Sequence, residues 1–133
     1  MKLILDSSFL IELKKGNKRA LKALKEREKS CEDLLISSIT VYELMVGAYY
    51  LWKKHNDVRE FVIIEDMLKP LTKIPVTEEI AKKAAEVKAA LKLEGAEVPD
   101  VDVLIACSDE GEILTFDREF EGLKGLGFNV TVL

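Results

Sequence analysis

Residues 2–13 read KLILDSSFLIEL, and this stretch indicates how the chain folds. Its first part, Lys2–Leu5, is a short apolar run of the kind that becomes a buried strand. Asp6 ends the run, and apolar residues then recur at helical spacing until Gly16. A strand that passes directly into a helix is the first half of a β–α–β unit, so we expect parallel strands.

The same alternation of strand and helix continues along the rest of the chain. Further strands are predicted at Leu34–Ser37, Glu112–Thr115 and Phe128–Leu133, and a short extended piece is predicted at Leu71–Val76. The other helices are predicted at Ala20–Ser30, Val41–Lys54, Asp57–Leu68, Glu78–Gly95, Pro99–Gly111 and Arg118–Leu123, and Ser38 or Thr40 is expected to cap the second of these. The pattern predicts a three-layer α/β/α domain with a central, mainly parallel sheet of four to five strands.

Length, charge and composition limit the classes of protein to consider. A chain of 133 residues is expected to form one domain, residues 1–133. No apolar stretch long enough for a membrane span and no signal peptide is visible, and the two cysteines lack metal-site spacing. These features predict a cytoplasmic protein. The net charge of −4 is unlike the basic footprint of most nucleic-acid binders, although an acidic cluster that binds cations would contribute to it.

Four acidic residues lie at or just beyond the predicted carboxyl ends of strands. Asp6 follows the first strand directly, and Asp117 follows the strand EILT by two residues. Glu43 and Asp102 lie in the first turns of helices, the first of which follows a strand. Because ligands of parallel sheets bind at this edge, the four carboxylates are expected to converge there.

Convergence of like charges destabilises a fold unless something neutralises them. Mg²⁺ and Mn²⁺ prefer oxygen ligands, and one or two such ions would activate water for in-line displacement at a phosphodiester. The sequence contains no GxSxG elbow, Walker A loop, GxGxxG or Cys–His pair. An Asp after a strand is more often a helix N-cap, so only the shared placement of the four acids indicates a metal site.

The segments that carry these acids resemble the motifs of PIN-domain proteins, in that family's order. They are LILDSSFLIEL, ISSITVYELMVG and PDVDVLIACSDEGEILTFDREFEGL, and together they span Leu3 to about Leu123. The compact single-domain form resembles VapC-type toxins of toxin–antitoxin pairs. The resemblance implies a Mg²⁺- or Mn²⁺-dependent endoribonuclease whose catalytic and metal-binding carboxylates are Asp6, Glu43 and Asp102, with Asp117 as the more variable fourth.

The resemblance also ranks the neighbouring polar residues. Asp102 is preferred to Asp100 because it stands three residues before an Ile-Ala pair, as the family's third acid does; Asp100 is then a helix cap or an accessory acid. Ser7 and Thr115 are candidates for orienting carboxylates or water, with ordinary turn and cap chemistry as the alternative. An RNA substrate, a homodimer and an antitoxin that covers the pocket are implied as well.

Two surface features and two rival functions remain open at this point. The basic run of Lys14, Lys15, Lys18 and Arg19 either contacts RNA phosphates or forms a solvated helix face. The aromatic-rich helices within Val41–Leu68 predict a partner surface, with stacking on RNA bases as the alternative. The rival functions are a PIN-domain nuclease of ribosomal-RNA processing or RNA quality control, and a catalytically silent interaction module.

Overall fold

A computed structural model describes all residues, 1–133, and contains five strands, six α-helices and one 3₁₀ helix. The strands are β1 (Lys2–Leu5), β2 (Asp33–Ser37), β3 (Thr72–Ile74), β4 (Glu112–Thr115) and β5 (Asn129–Val132). The helices are α1 (Ser7–Lys14), α2 (Lys18–Arg27), α3 (Ser38–His55), α4 (Arg59–Leu68), α5 (Glu78–Leu93) and α6 (Asp100–Ala106), followed by the 3₁₀ helix Arg118–Leu126. The predicted alternation of strand and helix is confirmed. No helix combines the length and the apolar character that a membrane crossing requires.

The five strands form one sheet in the order β3-β2-β1-β4-β5, and every neighbouring pair is parallel. From β1 the chain adds β2 and β3 on one side, and it then returns to add β4 and β5 on the other. The direction in which successive strands are added to the sheet therefore changes between β1 and β4. In open parallel sheets, this switch point is where a crevice forms beyond the carboxyl ends of the strands.

Two apolar clusters cover the two faces of the sheet. Leu3 and Leu5 of β1 pack with residues of α1–α4, whereas Ile4 packs with residues of α5, α6 and the 3₁₀ helix. The alternation arises because successive side chains of a strand point to opposite faces. All three are at most 1% exposed, which explains why the strand is apolar throughout. The predicted three-layer α/β/α architecture is thus confirmed.

Two details of the predicted helices are wrong. Neither Ser38 nor Thr40 caps α3: Ser37, the last residue of β2, accepts a hydrogen bond from the Ile39 N–H at 3.1 Å, because strand and helix follow without a connecting residue. The helix that was expected to reach Gly111 ends at Ala106. The chain must turn before β4, and a Cβ at Gly111 would lie 2.4 Å from the Lys2 carbonyl oxygen.

Helices α3 and α4 carry the most exposed aromatic and branched side chains of the layer they form. Tyr42 is 70% exposed, Tyr50 is 56% exposed and Val62 is 52% exposed. Tyr49 and Trp52 stack with ring centroids 6.1 Å apart. The surface over α3 and α4 is therefore apolar beyond what the core requires.

Candidate active site and metal centre

The predicted acids lie around the switch point of the sheet. Asp6 comes directly after β1, and Asp117 comes two residues after β4. Asp102 lies in the first turn of α6, and Glu43 lies in the second turn of α3. The charges of Asp6, Asp117 and Glu43 all raise the pKa of Asp102, so the structure brings these four carboxylates into one electrostatic cluster.

A fifth acid, Glu119, belongs to the same cluster. Carboxylate oxygens of Asp102, Asp117 and Glu119 all lie within 4.8 Å of one another, a separation at which one cation would contact all three. Sequence reasoning missed Glu119 because it lies on the exposed start of a helical turn. The signal was its spacing: it comes two residues after Asp117, in the first turn of the 3₁₀ helix that Asp117 caps.

Asp6 is both a helix cap and a member of the cluster. Its Oδ1 accepts a hydrogen bond from the Phe9 N–H at 2.9 Å, which caps α1. Its Oδ2 accepts a hydrogen bond from the Thr115 hydroxyl at 2.7 Å, and the Ser8 hydroxyl donates to Asp6 at 2.8 Å. The side chain is 3% exposed. The capping explanation and the site explanation are therefore compatible for this residue.

The backbone after β4 orients the two hydroxyls that hold Asp6. The Phe116 N–H donates to Ser8 Oγ at 3.0 Å, and the Asp117 N–H donates to Thr115 Oγ1 at 2.9 Å. Since each hydroxyl accepts from the backbone, its proton is directed at the Asp6 carboxylate. Thr115 was predicted as an orienting residue, whereas Ser8 was missed because a serine in a first helical turn carries no distinctive signal.

The other predicted polar residues occupy different positions. The Ser7 hydroxyl donates to Glu43 Oε1 at 3.2 Å, so it contacts the cluster at its exposed edge. Asp100 lies outside the group of three acids: its side chain is 80% exposed and its Oδ1 lies 3.1 Å from the ammonium of Lys88.

The four predicted RNA-contacting cations also differ from one another. The Lys14 ammonium contacts the Glu60 carboxylate, and the Lys15 ammonium lies 3.4 Å from Glu12 Oε2. Lys18 and Arg19 begin α2 and are exposed. The guanidinium carbon of Arg19 lies 5.5 Å from the centroid of the ring of Phe116, the residue that precedes Asp117 in the chain.

Asp102 is the most perturbed acid of the cluster. It is 8% exposed, and its Oδ2 is buried without a hydrogen-bond partner. Burial, followed by the charges of Asp117 and Asp6, raises its pKa to about 7. An orphaned, buried carboxylate oxygen is costly in a metal-free protein, because the ionised form lacks any neutralising group.

No cation of the chain forms an ion pair with any of the five acids. Burial also raises the pKa of Asp6 and of Glu43, in both cases as the largest effect. An all-carboxylate donor set at the carboxyl edge of the sheet suits a hard divalent cation such as Mg²⁺ or Mn²⁺. The residues present therefore fit such an ion.

Comparisons with known proteins agree with this fold and with this arrangement of motifs. Residues 3–126 match the family model for the PIN domain. Ribonuclease VapC2 of Haemophilus influenzae is 33% identical over 130 residues, which cover 95% of each chain. VapBC2 from Rickettsia felis, solved with a DNA fragment from its promoter, has a TM-score of 0.81 at 20% identity, covering 100% of this chain and 99% of that one. VapBC-5 from Mycobacterium tuberculosis, of the VapBC family of toxin–antitoxin systems, has a TM-score of 0.68 at 19% identity, covering 100% of this chain and 98% of that one.

Proposed function

The chain belongs to the PIN-domain family, and from that premise we propose that it is a divalent-metal-dependent endoribonuclease, the toxin of a toxin–antitoxin pair. The observation that carries this proposal is the unpaired acidic cluster, with Asp102, Asp117 and Glu119 grouped within 4.8 Å. We further propose that residues 1–133 form one nuclease domain that acts in the cytoplasm.

The metal ligands are proposed to be Asp102, Asp117 and Glu119, with Asp6 and Glu43 completing the site through their carboxylates. Mg²⁺ or Mn²⁺ bound here would activate water and stabilise the leaving oxygen in hydrolysis of a phosphodiester. The orphaned Asp102 Oδ2 supports this assignment, because a cation would provide the partner that the chain does not.

The chain's own residues hold the acids in place. Ser8 and Thr115 direct their hydroxyl protons at Asp6, which leaves that carboxylate little rotational freedom. Asp117 uses its Oδ1 to accept the Glu119 N–H at 2.9 Å, so the cap of the 3₁₀ helix sets the spacing between these two ligands. Preorganisation of this kind lets charged groups act without rearrangement during the reaction.

RNA is the proposed substrate because the relatives with 33% identity are named ribonucleases. An antitoxin is the proposed protein partner, because solved structures with the same fold are described as toxin–antitoxin systems. Asp100, whose carboxylate is paired with Lys88, is assigned no more than an accessory role.

A homodimer is also proposed, with the apolar surface over α3 and α4 as its interface. Tyr42 and Val62 are each more than half exposed, and a surface of this kind is stabilised when a partner covers it. Sedimentation at micromolar concentration is expected to give a dimer. A monomer throughout the concentration range would contradict this part of the proposal.

The decisive experiment measures cleavage of structured RNA by the purified protein. We expect cleavage with Mg²⁺ or Mn²⁺, none with EDTA, and almost none for Asp6→Asn. Glu86→Gln removes an exposed carboxylate of α5 far from these motifs in sequence and serves as the matched control. Cleavage by Asp6→Asn at the rate of the unmodified protein would overturn the assignment.

The same experiment separates the rival functions. A silent interaction module would neither cleave RNA nor bind Mn²⁺ in a calorimetric titration. A nuclease of ribosomal-RNA processing or RNA quality control would cleave RNA with the same metal dependence, but its gene would lack a neighbouring gene for a small DNA-binding antitoxin.

A further inference from the structure

Arg19 is a cation that forms no ion pair within the chain. Its guanidinium forms no side-chain hydrogen bond or ion pair within the chain, and it lies over the ring of Phe116, 5.5 Å from the ring centroid. The nearby Glu12 carboxylate already accepts from Asn17 at 3.0 Å and pairs with Lys15. The donors of the Arg19 guanidinium therefore remain available to a ligand.

The ring of Phe116, over which this guanidinium lies, belongs to the segment between β4 and Asp117 of the acidic cluster. In the chain it lies between Thr115, which donates to Asp6, and Asp117, one of the grouped acids. Its ring packs against the fully buried ring of Phe9, with centroids 6.1 Å apart, and its N–H donates to Ser8. The aromatic surface under Arg19 is therefore fixed to the same framework that holds the carboxylates.

Hydrogen bonds and packing also fix the backbone of Arg19. Asn17 caps α2 by accepting hydrogen bonds from the N–H groups of Arg19 and Ala20 at 2.9 and 3.3 Å. Ala20 is fully buried against the core, which fixes the rotation of the helix. Lys18 is also unpaired, but it has no described contact that would hold its ammonium near the cluster. Of the two unpaired cations of this basic run, Arg19 is thus the one whose charged group lies over a neighbouring side chain.

We propose that Arg19, whose guanidinium lies over the ring of Phe116, forms a phosphate-binding site for the RNA strand next to the acidic centre. A guanidinium that rests on an aromatic ring still presents its N–H edge, which matches phosphate oxygens in a bidentate geometry. The five acids of the cluster repel the RNA backbone, so a cation over Phe116 would help to position the strand. This inference rests on the proposed ribonuclease function for the identity of its ligand.

The test compares four variants with the unmodified protein: Arg19→Gln, Arg19→Lys, Phe116→Leu and Lys25→Gln. Lys25 is an exposed, unpaired lysine on the same helix, two turns further on, so Lys25→Gln controls for the loss of one positive charge. Cleavage of a single-stranded RNA with Mn²⁺ gives KM and kcat. Fluorescence anisotropy with a labelled RNA oligonucleotide in EDTA, across a range of salt concentrations, gives affinity without cleavage.

Arg19→Gln is expected to raise KM about tenfold with little change in kcat, because a phosphate contact away from the reacting bond stabilises the bound substrate and the transition state alike. The slope of log Kd against log salt is expected to fall by about 0.7, the value for one phosphate of a single strand. Arg19→Lys should keep the salt slope but restore only part of the affinity, since lysine lacks the planar guanidinium and its paired N–H donors. Phe116→Leu should weaken binding in the same way, with Arg19 still present.

The outcomes separate this inference from the proposed function. Values of KM and salt slope for Arg19→Gln that equal those of Lys25→Gln would overturn it, whether or not the protein cleaves RNA. If the unmodified protein binds RNA through Arg19 but cleaves nothing with any metal, the ribonuclease proposal fails and the binding site stands. Thermal unfolding of each variant near the temperature of the unmodified protein would show that the substitution has not affected folding.

Discussion

A buried carboxylate at the start of strand β4 has a cationic partner, whereas a buried carboxylate beyond the end of that strand has none. At its start, Glu112 is 7% exposed and accepts two hydrogen bonds from Arg27, at 2.6 and 2.8 Å, and one from Thr131 at 2.6 Å. Hydrogen bonding with Arg27 lowers the pKa of Glu112. Beyond its end, the cluster around Asp102 is equally buried at that residue but has no cation, and the pKa of Asp102 rises to about 7.

The difference shows that the absence of a cation to neutralise Asp102 is specific to this site and is not a general property of the fold. The fold does neutralise a buried acid where an arginine of α2 reaches the amino end of the sheet. At the carboxyl end, the acids are held by hydroxyl and backbone N–H groups, which position a carboxylate without cancelling its charge. An uncompensated buried charge decreases stability, and this is the cost of a site that binds a cation from solution.

The largest expected effect separates stability from activity at Asp102. Asp102→Asn is expected to reduce RNA cleavage about 1,000-fold, the scale on which a preorganised electrostatic contact contributes to catalysis. It should also raise the unfolding temperature at pH 8 in EDTA, because the variant buries no charge, and abolish the stabilisation by Mn²⁺. Differential scanning fluorimetry with and without Mn²⁺, beside Glu86→Gln, measures both. A variant less stable than the unmodified protein in EDTA would contradict this interpretation.

At the amino end of the sheet, a substitution is expected to lower stability and leave activity nearly unchanged. Arg27→Met leaves Glu112 buried without its cation and should cost about 3 kcal/mol of unfolding free energy, typical of a broken buried pair. Cleavage per folded molecule should change little, since neither residue is in the acidic cluster. Urea unfolding at pH 7 tests the stability. A loss below about 1 kcal/mol would show that the pair resembles an exposed salt bridge.

The pH dependence of stability is expected to follow Asp102. Its folded-state pKa lies above the unfolded value, so the protonated form stabilises the fold, and this contribution is lost as pH rises through about 7. In EDTA, the free energy of unfolding should fall by about 1 kcal/mol between pH 6 and pH 8. In saturating Mn²⁺ the fall should disappear, because metal binding favours the ionised carboxylate. A metal-free profile that is flat, or that rises over this range, would contradict the assignment.

The smallest effect is expected for Glu119, the exposed member of the grouped acids. Glu119→Gln should weaken Mn²⁺ binding roughly tenfold, at the low end for groups that support a metal site, because water can replace an exposed ligand. Isothermal titration with Mn²⁺ measures the change. Glu121→Gln, two residues further along the same 3₁₀ helix and also exposed, is the control. Equal affinities for the two variants would remove Glu119 from the ligand set.

Much of the fold follows from local patterns in the sequence. The run KLIL predicts a strand because each of its faces meets an apolar layer, and β1 does carry one cluster on each side. The end of the helix after Pro99 was less predictable. Cys107–Gly111 forms the turn before β4. Gly111 lies close to the Lys2 backbone there, and such a contact between segments distant in sequence is not visible in a local pattern.

The site was partly predictable as well, because some of its acids are placed by local patterns and others by tertiary contacts. Asp6 and Asp117 follow strands that point to a common edge, so strand order alone indicates that they meet. Glu119 and Ser8 depend on the rotation of a helical turn, and a change of one residue in that turn would direct either side chain elsewhere. The role proposed for Arg19 depends on the packing of α2 over Phe116, which no local pattern reveals.

The sequence by itself determined the alternation of strands and helices, the family, and the acids that follow strand ends, because these depend on spacing within short segments. The tertiary structure decided how charges are compensated: Glu112 meets Arg27 across 85 residues of chain, whereas Asp102 meets only other acids. Both are acidic residues in apolar surroundings, and no local pattern shows which of them a cation of the chain will neutralise. The free energy of a buried charge depends on which groups surround it in space, and only the folded chain brings those groups together.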